Sequence, residues 1–124
     1  MTPIFIKSFR ALSAIAGYLI VKAGIEGVEI AAAPTDPLIG AADSMGAPAD
    51  GMVDVTQGGW SEVRAGAAFK FGDPLTSDTE GRAIKAEPVA GEIVRTIGFA
   101  MSDAAENDIV PYHVSPGCIG AASA

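Results

Sequence analysis

Reactive and basic side chains are scarce in this chain of 124 residues. It has one cysteine, one histidine and eight Lys and Arg against fifteen Asp and Glu, which gives a net charge of −7. A single cysteine cannot form an internal disulfide or a Cys-based zinc cluster. Nucleic-acid binders present a basic surface to phosphates, and an anionic membrane repels an acidic chain. The composition therefore argues against direct binding to nucleic acid or to a membrane.

Long segments free of glycine and proline are also scarce. Fifteen Gly and eight Pro are spread so evenly that only residues 4–16 and 99–110 form longer stretches without either. Because glycine costs a helix interior about 1 kcal/mol and proline about 3 kcal/mol, a bundle of long helices is excluded. Short strands of about five residues fit between such turns. Many apolar residues are alanines, so this single domain is predicted to have a thin core.

No group of side chains indicates catalysis. The closest acidic residues, Asp73, Asp78 and Glu80, lack the spacing of a calcium-binding loop, and we interpret them as solvated turn residues. His113 and Cys118 do not have a pattern that predicts a Cys–His nucleophile. The sequence has no phosphate-binding glycine loop and no metal-ligand spacing. We therefore predict a protein that is not an enzyme, with no catalytic, metal or cofactor-binding residues.

Four short motifs occur twice in the same order. Residues 21–24, 26–32, 38–40 and 50–55 resemble residues 69–72, 80–86, 96–98 and 108–114, respectively. The motifs combine alternating apolar residues, which are typical of half-buried strands, with glycines suited to hairpin turns. Ordered repetition of this kind indicates two similar β units. The predicted fold class is all-β, a small β-barrel or β-tulip-like domain of eight to ten short strands built from these two units.

The chain is expected to divide into three segments. Residues 1–12 form an N-terminal arm, either a short helix or an extended segment, residues 13–115 form the β-barrel domain, and residues 116–124 form a weak C-terminal tail.

A thin core and open sheet edges favour association with partners. Apolar residues of the arm, and a tryptophan that follows the predicted Gly58-Gly59 turn, are the candidate partner-binding residues. They are Ile4, Phe5, Ile6, Phe9 and Trp60.

A longer series of motifs supports a specific family. The motifs are residues 17–24, 37–43, 51–55, 67–78, 81–84, 97–100 and 107–110, and together they cover roughly residues 16–114. The most informative segment runs from Ala67 through Gly72-Asp73-Pro74-Leu75 to Asp78. In this order the motifs resemble the head decoration, or capsid cement, proteins of tailed bacteriophages.

The resemblance implies a fold and a function. Members of such families are small β-barrels that sit as trimers on the outside of the phage head. The implied partners are the major capsid protein and two further copies of the chain, without direct contact with nucleic acid or membrane. The implied role is to cement neighbouring capsid subunits against internal DNA pressure, in a virion assembled in the host cytoplasm. No catalytic residues come with the resemblance, and the apolar N-terminal residues would contact the shell.

Two other functions stay open on the sequence alone. Trp60 could serve as a stacking platform in a ligand- or carbohydrate-binding module, which predicts a concave site with clustered carboxylates around it. Lys7 and Arg10 precede an apolar run and three alanines, Ala31-Ala32-Ala33, as in a secretory signal peptide. The repeat argues against cleavage after Ala33, because cleavage there would remove part of one β unit.

Overall fold

The computed structural model describes the backbone of residues 3–120 and the side chains of residues 6–120. Within those residues it has nine strands and no helix. The strands are β1 (Pro3–Arg10), β2 (Ile20–Gly24), β3 (Gly27–Ile30), β4 (Leu38–Ala41), β5 (Met52–Arg64), β6 (Pro74–Ser77), β7 (Ala83–Lys85), β8 (Ile93–Ala100) and β9 (Ile109–Gly120). The prediction of an all-β fold with eight to ten strands is confirmed.

The strands form two open sheets instead of a closed barrel. The larger sheet has the order β1-β5-β9-β8-β6-β7, the smaller one has the order β3-β2-β4, and the paired strands in both are antiparallel. β1 and β7 are the two edges of the larger sheet, and no ladder among the described residues joins them. One isolated β-bridge, between Ala42 and Val55, joins the smaller sheet to β5. Beside it the N–H of Asp43 donates to the carbonyl of Asp54, and the side-chain amide of Gln57 donates to the carbonyl of Ile39. Because that bridge does not extend into a ladder, the expected barrel does not close.

The molecule consists of two units with the same topology, which we call the N-terminal unit (residues 6–57) and the C-terminal unit (residues 60–114). In the N-terminal unit β1 pairs with the first half of β5, and in the C-terminal unit the second half of β5 pairs with β9. The register is the same in both pairs. Ile6 opposite Thr56 corresponds to Trp60 opposite His113. The prediction of two similar β units is confirmed.

Contacts outside the main ladders are duplicated as well. A parallel bridge between Ala11 and Val28 has its counterpart between Ala65 and Ala83. Val21 lies opposite Gly40, as Leu75 lies opposite Gly98. The match between residues 38–40 and 96–98 is therefore in register. The match between residues 21–24 and 69–72 is out of register, because Val21 is the counterpart of Leu75.

The hydrophobic core repeats this organisation. Seven buried residues form the core of the N-terminal unit: Ala11, Ile15, Val21, Val28, Ala42, Val53 and Val55. Their counterparts form the core of the C-terminal unit: Ala65, Phe69, Leu75, Ala83, Ala100, Val110 and Tyr112. The remaining members of the second cluster lie where the units meet: Ile20, Ala31, Leu38, Ala41, Val63, Ile97 and Val114. The core is thin, with small residues at many positions, and the junction between units supplies a large share of it.

Hydrogen bonds fix the two units against each other. The backbone N–H of Arg64 donates to the carbonyl of Tyr18 at 2.9 Å, and the N–H of Ile20 donates to the carbonyl of Gly81 at 2.7 Å. The N–H of Ala41 donates to the hydroxyl oxygen of Tyr112 at 3.2 Å. The units therefore form one body around a polar and apolar junction.

Both ends of the described chain lie in strands. The segment expected as an arm is extended, one of the two alternatives, but Pro3–Arg10 are paired with β5 along their length and do not project from the domain. The segment expected as a tail contributes to β9 as far as Gly120, where it pairs with the start of β8. β1 pairs with the first half of β5 because it is the counterpart of the second half of β5, which pairs with β9 in the same way in the other unit.

Candidate functional site

Ile6 and Trp60 form the centre of an exposed apolar surface. They occupy equivalent positions in the two units, and the two residues are 48% and 45% exposed. Both line a shallow cavity of about 170 Å³, together with Tyr18 and Thr56. Two of the five predicted partner-binding residues are thus brought together, although they lie far apart in the sequence.

The local course of β5 explains the position of Trp60. The sequence predicts a hairpin turn at Gly58-Gly59, but β5 is continuous through this point. Gly59 has a positive φ of 79°, and the register of β1 against β5 shifts where Phe5 lies opposite Gly58. The glycines therefore allow β5 to leave β1 and pair with β9 without a reversal of the chain. Trp60 is the first large residue after this change of partner.

The other predicted partner-binding residues do not join this surface. Phe9 is an odd number of positions from Ile6 along β1, so its side chain points to the opposite face, where it packs against the core of the N-terminal unit. The ammonium of Lys7 lies 5.7 Å from the centre of the Phe9 ring. The side chains of Ile4 and Phe5 lie outside the described residues.

The polar groups of the cavity do not form a reactive cluster. Its lining includes Asp43 and Glu62. The carboxylate of Asp43 accepts hydrogen bonds from the N–H groups of Met45 and Gly46, at 3.1 and 3.2 Å, and so stabilises its own loop. Within residues 3–120, no group of three or more His, Cys, Asp and Glu side chains is arranged to hold a metal ion.

A row of exposed and half-buried residues extends from Trp60 across three further strands of the C-terminal unit. His113 on β9 lies between Trp60 on β5 and Phe99 on β8, and Phe99 lies opposite Pro74 on β6. Phe99 is 45% exposed, and His113 is also exposed. Sequence reasoning missed this row because it did not extend the repeat to the burial of equivalent positions. The counterpart of Phe99 is the buried Ala41. A comparison of the two repeats therefore shows a large apolar residue where the other unit has a small one, and this difference could have indicated the exposed position.

The residues considered for catalysis are dispersed. His113 and Cys118 both lie in β9, five positions apart, which places them about 16 Å apart along an extended strand. Cys118 is exposed. Asp78, expected to be solvated, is mostly buried, and its carboxylate accepts a hydrogen bond from the Arg82 guanidinium at 3.0 Å. Asp78 thus holds the β6–β7 loop in place.

Two ionisable groups have shifted pKa values. Burial raises the pKa of Tyr112 above its ordinary value, and the N–H donated by Ala41 only partly offsets this effect. Partial burial also raises the pKa of Asp36, but hydrogen bonds from Ala32, Lys22 and Ala33, together with the Lys22 charge, outweigh it and lower the pKa below its ordinary value. Both groups stabilise contacts within the fold, and neither lines the cavity at Trp60.

No part of the described chain forms a helix of the length and hydropathy needed to cross a membrane. The molecule instead combines a rigid β scaffold with apolar side chains displayed on its sheet surfaces. Such a combination is typical of structural proteins that bind other proteins.

The particular family follows from comparison with known sequences. The pattern that defines the phage cement proteins matches residues 10–113, so the chain belongs to this family. The family confirms the predicted resemblance and assigns the chain a structural role at the phage capsid and a virion-associated location. A search of the curated proteins finds no match.

A solved structure supports the fold. The chain is similar to the N-terminal base of the head fiber protein gp8.5 of bacteriophage phi29, with a TM-score of 0.65 and 23% identity. The similarity covers 90% of this chain and 93% of the other. At this identity the comparison supports the shared fold.

Proposed function

We propose that the chain binds the outer surface of an assembled phage head and cements neighbouring subunits of the major capsid protein. It acts as a homotrimer, has no catalytic activity, and stabilises the head against the pressure of the packaged DNA. Assembly takes place in the host cytoplasm.

The observation that carries the proposal is the pair of exposed apolar residues, Ile6 and Trp60, at equivalent positions of the two units. Large apolar side chains that converge on one cavity are favourable anchors for a protein partner, since burying them removes apolar area from water. In a phage cement protein, the partner of such a surface is the shell. Ile4 and Phe5 are proposed, from the sequence alone, as further contacts with the shell.

The charge of the molecule is consistent with this location. A protein on the outside of the head does not contact the packaged DNA, so a net charge of −7 is no obstacle to its function. A trimer would present three copies of the apolar surface to a shell with repeated sites. Several weak contacts made together give firm attachment.

The test compares attachment to heads that lack the chain. We expect the double variant Ile6→Ser and Trp60→Ser to bind about tenfold more weakly or worse, as for the loss of interface anchors. The measurement is co-sedimentation with purified heads over a range of protein concentrations. Phe71→Ser is the matched control, because Phe71 is 65% exposed but lies outside the cavity.

Point variants are preferable to removal of residues 1–9 in this experiment. Such a truncation deletes most of β1, an edge strand with an extensive ladder to β5, and would confound unfolding with lost attachment. Equal binding of the double variant and the control would refute the proposed surface. Cementing itself is tested by heating DNA-filled heads: added protein should raise the temperature at which they release DNA.

One observation favours a second function, a carbohydrate- or ligand-binding module. Trp60 shares its cavity with Asp43 and Glu62, and an aromatic ring beside carboxylates is suited to stacking and hydrogen bonding with a sugar. Titration of the Trp60 fluorescence with a panel of soluble glycans tests this alternative. A saturable change that Trp60→Phe abolishes would support it, and a flat response would leave the capsid as the partner.

A further inference from the structure

The two units differ in what covers their equivalent surfaces. In the N-terminal unit, the outer face of the small sheet carries Ile20 and Ala41, which are fully buried because they pack against the C-terminal unit. Their counterparts in the C-terminal unit are Pro74, which is half-buried, and Phe99, which is 45% exposed. Two of the four buried residues of this face, Ile20 and Ala41, thus have uncovered counterparts in the C-terminal unit. The counterparts of the other two, Ala86 for Ala31 and Thr96 for Leu38, are buried.

The surface on which the small sheet packs differs in exposure in the opposite sense: it is buried in the C-terminal unit and partly exposed in the N-terminal unit. In the C-terminal unit, Val63, Ile97 and Val114 are buried beneath the N-terminal unit. Their counterparts in the N-terminal unit are Phe9, Ile39 and Gln57, all only half-buried. Each chain thus has one junction that is covered. It also has an uncovered docking face on its C-terminal unit and an uncovered receiving surface on its N-terminal unit, and together these two surfaces would form an equivalent junction.

We propose that a second copy of this chain completes that junction. The face of one copy that carries Pro74, Phe99 and His113 docks on the surface of the next copy that carries Phe9, Ile39 and Gln57. The contact repeats between chains the packing that joins the two units within a chain.

One of the two backbone hydrogen bonds of the junction can be repeated between copies. The bond from Ile20 to Gly81 cannot be repeated, because Pro74, the counterpart of Ile20, has no N–H. Within the chain, the N–H of Arg64 donates to the carbonyl of Tyr18. Arg10 is the counterpart of Arg64 and lies on the edge strand β1, and Gly72 is the counterpart of Tyr18 on an exposed turn. In the docked pair, the N–H of Arg10 donates to the carbonyl of Gly72 in the neighbouring copy. An edge strand that would otherwise expose its donors is thereby covered.

The contact is head-to-tail, since it joins two different surfaces. Contacts of this kind generate closed rings when the rotation between copies closes, whereas a self-complementary contact gives dimers. A trimer requires a head-to-tail contact. The inference therefore rests on the self-association part of the proposed function and does not depend on attachment to a shell.

Docking leaves the proposed capsid-binding surface available. Ile6 remains 48% exposed although the outer face of its unit is covered by the C-terminal unit. Trp60 is its counterpart, so we expect it to stay exposed when a second copy covers Phe99. Self-association and shell binding can then be tested separately.

The experiment uses the full chain without shells. Gel filtration with light scattering should show the wild type as an oligomer, while Phe99→Lys and Gln57→Lys each give a monomer of 12.5 kDa at the same concentration. Val89→Lys is the matched control and should remain oligomeric, because Val89 is 66% exposed and lies in the loop between β7 and β8, outside both surfaces.

Mixing the two variants tests the head-to-tail geometry. Phe99→Lys retains an intact receiving surface and Gln57→Lys retains an intact docking face, so an equimolar mixture should form a dimer of one chain of each kind. A monomeric wild type, or variants that stay oligomeric, would overturn the proposal, as would a mixture without the dimer. Circular dichroism checks that each variant is folded. His113→Asp, on the exposed side of β9, replaces Phe99→Lys if the latter does not fold.

Discussion

At the residue scale, Tyr112 connects the two units more directly than any other side chain described. It is fully buried in the core of the C-terminal unit, and its hydroxyl oxygen accepts the N–H of Ala41 from the N-terminal unit. Sequence reasoning placed this tyrosine in a strand but could not identify its partner, which lies 71 positions away in the chain. Such a contact depends on how the repeated units pack, which local periodicity does not encode.

Tyr112→Phe should therefore destabilise the fold and change its response to pH. The variant leaves the N–H of Ala41 without an acceptor, at a cost of about 1–3 kcal/mol. Burial raises the pKa of Tyr112 in the folded state above its unfolded value of about 10. The folded chain then binds a proton that the unfolded chain releases, so wild-type stability should fall as the pH rises above about 10.

The measurement is urea unfolding at neutral pH and at several alkaline pH values. The Tyr112→Phe variant should be less stable at neutral pH and should lose less stability on going to high pH. Tyr18→Phe serves as the control and should keep the alkaline loss of the wild type. An equal alkaline loss in Tyr112→Phe would show that another group causes it.

At the element scale, β4 and β8 each cross a neighbouring strand at a glycine. Gly40 and Gly98 are counterparts, with φ values of 155° and 147°. A Cβ at Gly98 would overlap the carbonyl oxygen of His113 on β9, and a Cβ at Gly40 would lie 2.9 Å from the carbonyl oxygen of Thr56 on β5. The repeated Ile-Gly motif in the sequence therefore has a physical origin, since only glycine permits this approach.

Gly98→Ala should be the most damaging of three glycine variants. It combines backbone strain with overlap against an inflexible carbonyl, so we expect a loss of about 3 kcal/mol or more. Gly40→Ala should cost less, because its closest contact is longer. Gly72→Ala, with a φ of 90° and open space around the Cβ, should cost only about 1 kcal/mol of backbone strain. Urea unfolding midpoints give the order, and a Gly98→Ala protein as stable as Gly72→Ala would contradict the proposed overlap.

The sequence predicts the boundaries of strands correctly where a glycine and the alternation of apolar residues indicate the same turn. It fails where a glycine suggests a turn inside a continuous strand. The hairpin of β2 and β3 follows from alternating residues around a turn, as predicted. In that turn the positive φ belongs to Glu26 and not to Gly27, a detail that the Glu-Gly pattern obscures. At Gly58-Gly59 the same reasoning predicts a hairpin, whereas the glycines here form an irregularity inside one long strand. Only tertiary pairing with β1 and β9 distinguishes the two outcomes.

At the scale of the whole molecule, the sequence was sufficient to predict the duplication of the β unit. It was not sufficient to predict whether the strands close into a barrel. Four ordered motifs are enough to indicate two β units, although residues 21–24 and 69–72 are not structural counterparts. A closed barrel would require β4 to form a ladder with β5 as β8 does with β9, and the sequence contains no signal for the single bridge that replaces it. The sequence does not predict that Ile6 and Trp60 lie close together in the candidate site, because their proximity depends on the strand β5 that both units share.

The shared strand and the common junction predict that the two units unfold together. Ile15 and Phe69 are counterparts, each buried in the core of its own unit. Because β5 contributes to both cores and seven buried residues join them, loss of either core should destabilise the whole chain. We expect Ile15→Ala and Phe69→Ala each to cost about 2–5 kcal/mol, with a single unfolding transition in both variants.

Two probes separate cooperative from stepwise unfolding. Trp60 reports by fluorescence on the second half of β5 and on the cavity that it shares with the N-terminal unit, and far-ultraviolet circular dichroism reports on all strands. If the units form one cooperative body, Ile15→Ala in the N-terminal unit shifts the Trp60 midpoint as far as it shifts the circular dichroism midpoint. A biphasic dichroism curve with an unchanged Trp60 transition would mean that the C-terminal unit is stable alone. The junction at Ala41 and Tyr112 would then contribute little, and the equivalent junction between copies would be expected to be weak for the same reason.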